Sequence, residues 1–370
     1  MSLTPTKTKR DPALFGVGFA AFLLLGLIQA AYGPAFSDFE QRFGVTTAAV
    51  AGVSSAHFLG SALGPLVLGA LLTRLPLRAA VMIGSALFAL GLLGLSLAPI
   101  WPLMLLAALL TGLGFGFLSG GFNSAFATLG AGPASLINAM FGIGSVAAPL
   151  LALGFGAYPG PFMLLALLAL GLTFALRSVR SWPAQPAELA LSKVSPRRVG
   201  LFGLLFFSYV GIEAGLGSWA TTHLAAIGNP HPEAVTSLFW LALTAGRLGF
   251  AAFAARLPFF RVVLVCAALA LLGGLLITVP TLAVAGYLVV GLGISPIFST
   301  LLTWFTSLNP VRAAPLMLTA GSLGGAVFSA LIGVLVARFG VQAVPLTVVA
   351  DALLLGALVL WVRREVGGKR

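Results

Sequence analysis

Charge and cysteine are scarce in this chain. Only 8% of its 370 residues are Asp, Glu, Lys or Arg, whereas 59% are hydrophobic and the mean hydropathy is +1.10. A soluble protein of this size needs a charged surface, and this chain lacks the residues to form one. The single cysteine, Cys266, excludes an intramolecular disulfide. The composition therefore predicts that lipid covers most of the protein surface.

Apolar runs long enough to cross a bilayer recur along the chain. A spanning helix needs about 20 such residues, and backbone in lipid must form helices or a closed barrel. The runs are continuous and lack the alternating pattern of a barrel. We therefore predict an all-α polytopic membrane protein with twelve transmembrane helices. Breaks rich in Gly, Pro and charge place the helices at 13–35, 46–73, 79–98, 102–128, 134–157, 161–177, 199–224, 235–256, 262–279, 283–307, 314–337 and 343–362.

The basic residues collect on one side of the predicted membrane. After twelve crossings both termini share a side, and all but three of the 20 Lys and Arg fall there. The exceptions are Arg42 and Arg338 on the other side and Arg247 within a span. Because Lys and Arg are enriched in cytoplasmic loops, we predict an inner-membrane protein with both termini cytoplasmic. The net charge of +12 thus indicates topology and not nucleic-acid binding.

The N-terminal segment MSLTPTKTKR precedes an apolar run and resembles the charged and hydrophobic regions of a signal peptide. Since the same kind of run recurs throughout the chain, we expect an uncleaved first span.

The two parts of the chain repeat one another at a spacing of about 180 residues. The matches are Gly64-Pro65-Leu66 with Gly246-Arg247-Leu248, Arg74-Leu75-Pro76 with Arg256-Leu257-Pro258, Gly112-Leu113-Gly114 with Gly291-Leu292-Gly293, Gly142 with Gly321, Gly154 with Gly333, Gln29 with Glu213 and Gly33 with Gly217. The polar break 177–198 divides the spans six and six. We predict an N-terminal bundle at 1–176, a basic linker at 177–198 and a C-terminal bundle at 199–370. Such parallel repeats are typical of transporters that bind their substrate near mid-membrane, between the halves.

Twelve spans, a six-plus-six repeat and a basic central loop resemble the major facilitator superfamily. The loop between spans two and three keeps three residues of a family pattern, Gly69, Arg74 and Arg78. The resemblance implies an inner-gate role for these residues. Thr73 stands where the family has an acid and Pro76 where it has a second Gly, which weakens the expected charge lock.

Four stretches are similar to the fucose/glucose permease-like branch of sugar symporters: NAMFGIG at 138–144, YVGIEAGLGSW at 209–219, AGR at 245–247 and GLGISPIF at 291–298. This similarity implies proton-coupled sugar transport with a major facilitator fold. Members of the branch carry coupling carboxylates in helices one and four. Here those spans offer Gln29 and Asn123 instead, so coupling cannot be transferred to these positions.

Four ionisable residues within predicted spans are candidates for function: Glu213, Arg247, Asp351 and His57. Such groups are costly in a bilayer and usually face a cavity, so we predict roles in proton coupling or gating. For Glu213 the alternative is a structural ion pair with Arg247, and for Arg247 it is a hydrogen bond to backbone carbonyls that packs helices together. For Asp351 and His57 it is a hydrogen bond that packs helices together.

Sugar hydroxyls need neutral donors and acceptors, which amides combine, together with aromatic faces. The candidate substrate-binding residues are Gln29, Tyr32, Asn123, Asn138, Tyr209, Glu213 and Trp219. Asn138 could instead join two helices, and Trp219 could anchor the outer lipid interface. His223, His231 and Glu233 are expected in a solvated outer loop, with an incidental metal site as the alternative.

The sequence has no Walker loop, nucleophile elbow or Cys/His metal spacing, so we expect neither an enzyme nor a cofactor or metal. The prediction is a monomeric secondary active transporter of a small polar solute, a sugar in the first instance, working by rocker-switch alternating access and coupled to protons through Glu213. Drug/proton antiport of lipophilic compounds and sugar uniport stay open as alternatives.

Overall fold

The computed structural model describes residues 11–183, 195–251, 257–309 and 313–367. Every regular element in these ranges is a helix. The α-helices are α1 Pro12–Ala31, α2 Phe36–Phe43, α3 Thr47–Leu71, α4 Leu77–Leu97, α5 Trp101–Leu129, α6 Ala131–Phe155, α7 Gly160–Ala175, α8 Pro196–Ala226, α9 Pro232–Ala251, α10 Phe259–Ile277, α11 Ala283–Ile294, α12 Ile297–Leu308, α13 Ala314–Phe339 and α14 Ala343–Gly367. Short 3₁₀ turns lie at Gly33–Ala35, Leu176–Ser178 and Pro280–Leu282.

The predicted all-helical membrane fold is confirmed. Within the described ranges, 11 helical segments are long and apolar enough to cross a membrane, with α1–α2 and α11–α12 each counted as one segment. The 20-residue helix α9 supplies the remaining predicted span, and the last part of that prediction, 252–256, lies outside the described residues.

Two predicted spans differ in detail from the observed helices. The predicted first span at 13–35 covers α1 and the 3₁₀ turn at Gly33–Ala35. The helical path then continues into α2, whose polar residues include Asp38 and Arg42. The tenth span is broken between α11 and α12 at Ser295 and Pro296. Proline has no N–H to continue a helical ladder, which favours a break at this position. Pro149, in contrast, lies inside an unbroken α6.

The helices alternate in direction, which gives the bundle two faces. We call the side of Asp11, Arg180 and Gly367 the terminal face, and the side of the α2–α3, α8–α9 and α13–α14 turns the distal face. The Asp11 carboxylate accepts hydrogen bonds from the backbone N–H groups of Arg180 (2.9 Å) and Ser181 (3.1 Å), so the start of the central connection lies beside the start of α1.

The structure describes only some of the Lys and Arg residues that were counted for the topology prediction. Lys7, Lys9, Arg10, Lys193, Arg256, Arg312, Lys369 and Arg370 lie outside the described residues. The cytoplasmic location of the terminal face therefore stays a prediction, as does the division into bundles at 177–198. We use "first half" for residues 11–183 and "second half" for residues 195–367.

The halves touch tightly near the distal face. A Cβ added to Gly33 would lie 2.5 Å from the backbone oxygen of Ser218 and 3.2 Å from that of Gly217. The rings of Phe36 and Trp219 pack with their centroids 4.9 Å apart. Only glycine at position 33 allows this approach of the two backbones. The repeat-related residues Gly33 and Gly217 thus meet where the halves join.

Helices α3 and α13 continue this contact towards mid-membrane. Hydrogen bonds run from Ser55 Oγ to the Ala326 oxygen (2.8 Å), between the Ser61 and Ser322 hydroxyls (3.2 Å), and from Thr319 Oγ1 to the Ala62 oxygen (3.1 Å). Helices α6 and α9 form a second contact, where a Cβ on Gly142 would lie 2.5 Å from Thr244 Oγ1. These polar and small residues let the halves approach closely inside an apolar protein.

Candidate transport site

A polar cluster joins α8 to α9 within the second half. Tyr209 and Glu213 are four residues apart and therefore lie on the same face of α8. Arg247 Nη2 donates to both Glu213 carboxylate oxygens at 2.9 Å and to Tyr209 Oη at 2.8 Å. Tyr209 Oη in turn donates to Glu213 Oε2. The three side chains thus form a closed hydrogen-bonded triad.

The triad neutralises two charges that would be costly alone in the membrane. The Glu213 side chain is 7% exposed, whereas the Arg247 side chain is 27% exposed. Arg247 Nε is buried and has no hydrogen-bond partner. The guanidinium therefore retains donor capacity after pairing with Glu213, and part of it stays accessible to a ligand. Glu213 and Arg247 thus form an ion pair, and the guanidinium of Arg247 still has a donor without a hydrogen-bond partner.

Two amides of the first half form a second polar pair. Asn138 Nδ2 donates to Asn123 Oδ1 (3.1 Å) and to the Ala134 oxygen (2.8 Å). The pair links α6 to α5. Asn138 is exposed and Asn123 is partly exposed. Each amide carries both a donor and an acceptor group, so an exposed pair is able to bind hydroxyl groups.

The two polar groups lie at similar depth on facing helices. Gly142 of α6 contacts Thr244 of α9, and these helices run in opposite directions. Asn138 precedes Gly142 by one turn, and Arg247 follows Thr244 by almost one turn. Both residues are therefore displaced about 5 Å from the contact towards the terminal face. Asn138 and Arg247 therefore lie at the same depth on these two helices, one in each half.

Tyr32 and His57 form a separate pair in the first half. Tyr32 Oη and His57 Nδ1 are 3.1 Å apart, and both side chains are buried. His57 Nε2 has no partner. Gln29, which precedes Tyr32 by about one helical turn, is also buried.

Trp219 lies near the distal face, and its side chain is fully buried. Its Nε1 donates to the backbone oxygen of Ser329 at 3.1 Å, and its ring packs on Phe36. Trp219 is thus part of the joint between the halves and does not lie at a lipid interface.

Asp351 is placed away from the triad. Its Oδ1 accepts a 2.5 Å hydrogen bond from Ser208 Oγ, which ties α14 to α8. Its Oδ2 has no partner.

The predicted inner-gate residues lie at the terminal face. Arg78 Nη2 donates to the Arg177 backbone oxygen at 3.3 Å. Arg74 is exposed, and nothing lies within 4 Å of a Cβ added to Gly69. Thr73 Oγ1 bonds its own helix at the Ala70 oxygen, 2.7 Å away. The loop is thus connected to the end of α7 through a backbone carbonyl rather than a carboxylate.

The prediction for His223 was wrong. This histidine is fully buried in α8, and its Nδ1 lies 3.2 Å from Tyr287 Oη. His231, by contrast, is exposed. His223 lies one residue before the predicted end of its span at 224, which suggested a loop, but its side chain is buried against Tyr287 of α11. The sequence did not single out Thr244, which contacts Gly142 of the other half, or Tyr287, which pairs with His223. A hydroxyl group in an apolar run does not indicate a contact by itself.

Comparison with known proteins identifies the family. Residues 18–317 match the family model described as the Major Facilitator Superfamily. The chain belongs to the major facilitator superfamily. It is a multi-pass membrane transporter and not an enzyme, as the sequence resemblance predicted.

Individual relatives of this major facilitator protein are distant. The glucose/mannose transporter GlcP of Bacillus subtilis (strain 168) is 24% identical over 345 residues, covering 85% of this chain and 86% of that protein. The solved nucleoside transporter NupG superposes with a TM-score of 0.73 at 15% identity, covering 94% of this chain and 97% of NupG. A D-xylose–proton symporter superposes with a TM-score of 0.74 at 15% identity, covering 93% and 96%. These structures support the fold.

Proposed function

We propose that this major facilitator transporter carries a small neutral sugar, coupled to protons, with the sugar bound between the Asn123–Asn138 pair and Arg247. The single observation that carries the proposal is the equal depth of Asn138 and Arg247 on facing helices of the two halves. The likeness to GlcP, which is named for glucose and mannose, supports a sugar as the substrate.

The charge balance of the site favours an uncharged solute. Glu213 already compensates Arg247, with a 2.9 Å separation between Nη2 and the carboxylate. An anionic substrate would add a charge without a partner in a low-dielectric space, which is costly. A sugar adds only hydroxyl groups, which can accept from the remaining guanidinium donors and bond with either amide. The same reasoning disfavours a lipophilic cation at this position.

Glu213 is the proposed proton-binding group. Protonation would remove its charge and weaken its hold on Arg247, because hydrogen bonds to charged groups are the stronger ones. Arg247 would then turn more of its donors towards the sugar. Proton and sugar binding would thus favour one another without direct contact, which is a coupling free energy between two sites.

The proposed cycle is alternating access by rocking of the halves. The present conformation is closed at the distal face by Gly33 against Ser218 and by Phe36 on Trp219. We place the terminal face in the cytoplasm, with Arg74, Arg78 and the other basic residues, following the positive-inside rule. In that orientation this conformation is closed to the outside. We propose that a monomer carries out the cycle in the inner membrane.

The test is uptake into proteoliposomes with simultaneous recording of internal pH. Glucose, mannose, xylose and fucose are compared with a lipophilic cation. We expect a sugar gradient to drive proton entry in the wild type. Glu213→Gln should abolish the proton flux and retain sugar counterflow, because the amide still hydrogen-bonds Arg247. Asp351→Asn is the matched control, since it neutralises the other buried carboxylate and should leave proton flux unchanged.

The outcomes separate the alternatives. Sugar uptake without proton movement in the wild type would establish uniport. Movement of the lipophilic cation against protons, with no sugar uptake, would establish drug/proton antiport. Unchanged proton flux in Glu213→Gln would refute the proposed role of that residue, and loss of the flux in Asp351→Asn would move the coupling group to α14.

A further inference from the structure

The Asp351 carboxyl group is incompletely bonded deep inside the second half. The residue is 2% exposed, yet among the described residues only Ser208 donates to the carboxyl group, and Oδ2 has no partner. Thr347 lies one turn away but donates its hydroxyl to the Ala343 backbone oxygen at 2.7 Å. A buried carboxyl oxygen without a partner is costly, so this position is suited to a ligand that supplies a donor.

Asp351 lines a cavity of about 490 Å³ between α13 and α14. The cavity is outside the space between the halves. Its walls are otherwise almost entirely apolar and include the exposed, lipid-facing side chains Leu331, Phe339, Leu346 and Leu354. Gln342 lines it at the distal end. The cavity thus has apolar walls that reach the lipid-facing surface, and its lining includes Asp351, whose Oδ2 is buried and unpaired.

We propose that this groove binds a single-chain alkylamine in its protonated form, with the ammonium on Asp351 and the alkyl chain between α13 and α14 towards Gln342. The site takes a membrane-soluble cationic amphiphile and is independent of the proposed sugar pathway. An ammonium group supplies both the positive charge that a carboxylate requires in the bilayer and an N–H donor for Oδ2.

The depth of the carboxyl group selects the class of amphiphile. Asp351 lies eight residues into α14 from its distal end, or about 12 Å below the distal face. The ammonium of a phospholipid headgroup stays near the membrane surface and does not reach this depth. The ammonium is the only polar group of an alkylamine. Because no second polar group has to stay in water, the ammonium can enter the groove. A quaternary alkylammonium carries the charge but has no N–H to donate.

The experiment is photo-crosslinking of the protein in phosphatidylcholine nanodiscs. The probe is dodecylamine with a diazirine at the far end of the chain, and the labelled residues are mapped by mass spectrometry. We expect labelling on α13 and α14 between Leu331 and Leu346. Excess dodecylamine should compete. Dodecyltrimethylammonium, and phosphatidylethanolamine added to the nanodisc, should not.

Two variants test the two parts of the site separately. Asp351→Asn keeps the shape of the side chain and removes the charge, and labelling should fall about tenfold or more. Ala350→Phe leaves the carboxyl group in place and fills the groove, so labelling should also be lost. The matched control is Leu353→Phe, which enlarges an exposed residue of α14 that does not line the groove, and it should label as the wild type does.

The proposal is overturned if labelling maps outside α13 and α14, if dodecyltrimethylammonium competes equally, or if Asp351→Asn labels like the wild type. The thermal midpoint measured in the same variants shows that they are folded. A failure of this site leaves the sugar proposal untouched, because the readout is labelling and not transport.

Discussion

Replacing Gly33 by alanine should shift the balance between the two access states. In the present conformation the added Cβ would lie 2.5 Å from the Ser218 backbone oxygen, and 3.4 Å is where ordinary van der Waals contact begins. The halves must therefore separate by about 0.9 Å at this point to remove the overlap. Because the obstacle is backbone, no side-chain rotation relieves it. Overpacking of this kind costs about 1–3 kcal/mol.

That cost falls only on the conformation closed at the distal face. A difference of about 1–3 kcal/mol changes the ratio of two states by roughly 5- to 150-fold. We expect the Gly33→Ala population to move towards the conformation open at the distal face. Spin labels on Gln41→Cys and Ala226→Cys, in a Cys266→Ala background, report the distance between the halves on that side.

The controls for this shift are glycines without neighbours. Gly16→Ala and Gly171→Ala add the same methyl group where nothing lies within 4 Å, so their distance distributions should match the wild type. If Gly33→Ala gives the same distribution as Gly16→Ala, the contact with Ser218 does not hold the distal face closed, and the reasoning fails.

Three further variants test other contacts. Glu213→Leu leaves Arg247 uncompensated, which costs about 3–5 kcal/mol, and should lower the thermal midpoint more than Tyr209→Phe, which removes one hydroxyl from the triad. Trp219→Phe loses the bond to the Ser329 oxygen and should lower the midpoint by the equivalent of about 1 kcal/mol; an unchanged midpoint would contradict that contact. The backbone N–H of Ser181 has the largest effect on the pKa of Asp11 and lowers it; desolvation opposes this, and the N–H of Arg180 adds to the lowering, so the pKa lies below its ordinary value. The stabilisation is thus present above the ordinary carboxylate pKa and is lost as the pH falls through the lowered value. Asp11→Asn should speed hydrogen exchange at the Ser181 amide already at neutral pH, and exchange like that of the wild type would count against the contact.

The sequence predicts those features of the site that depend on residue spacing within a single helix. In YVGIEAGLGSW, the four-residue spacing placed Tyr209 and Glu213 on one face, and the depth of each span followed from its length. The pairing of Glu213 with Arg247 was one of two alternatives, because a distance between different helices does not follow from spacing along either one. The structure shows that the two side chains pair, and the role of Glu213 in proton coupling stays a prediction.

Other features depended on packing that the sequence does not encode locally. Asp351 looked similar to Glu213 as an acid in an apolar run, yet it faces α8 and a lipid-side groove. His223 looked like a loop residue because it lies one residue from the predicted end of its span, and its packing against Tyr287 of α11 does not follow from the local sequence. The break at Pro296 could have been expected from its missing N–H, but Pro149 has the same chemistry and leaves α6 continuous.

The location of both charged partners in one half has a consequence for the energetics of rocking. Glu213 and Arg247 belong to α8 and α9, which move together when the second half turns as a rigid body. In the proposed cycle the ionised pair would therefore keep its 2.9 Å contact while the halves rock. No ions have to be pulled apart when the empty carrier resets, so its return step is free of that electrostatic barrier. In the proposed cycle the triad responds to proton and sugar binding, whereas uncharged glycine and aromatic contacts at the distal face set which side of the carrier opens.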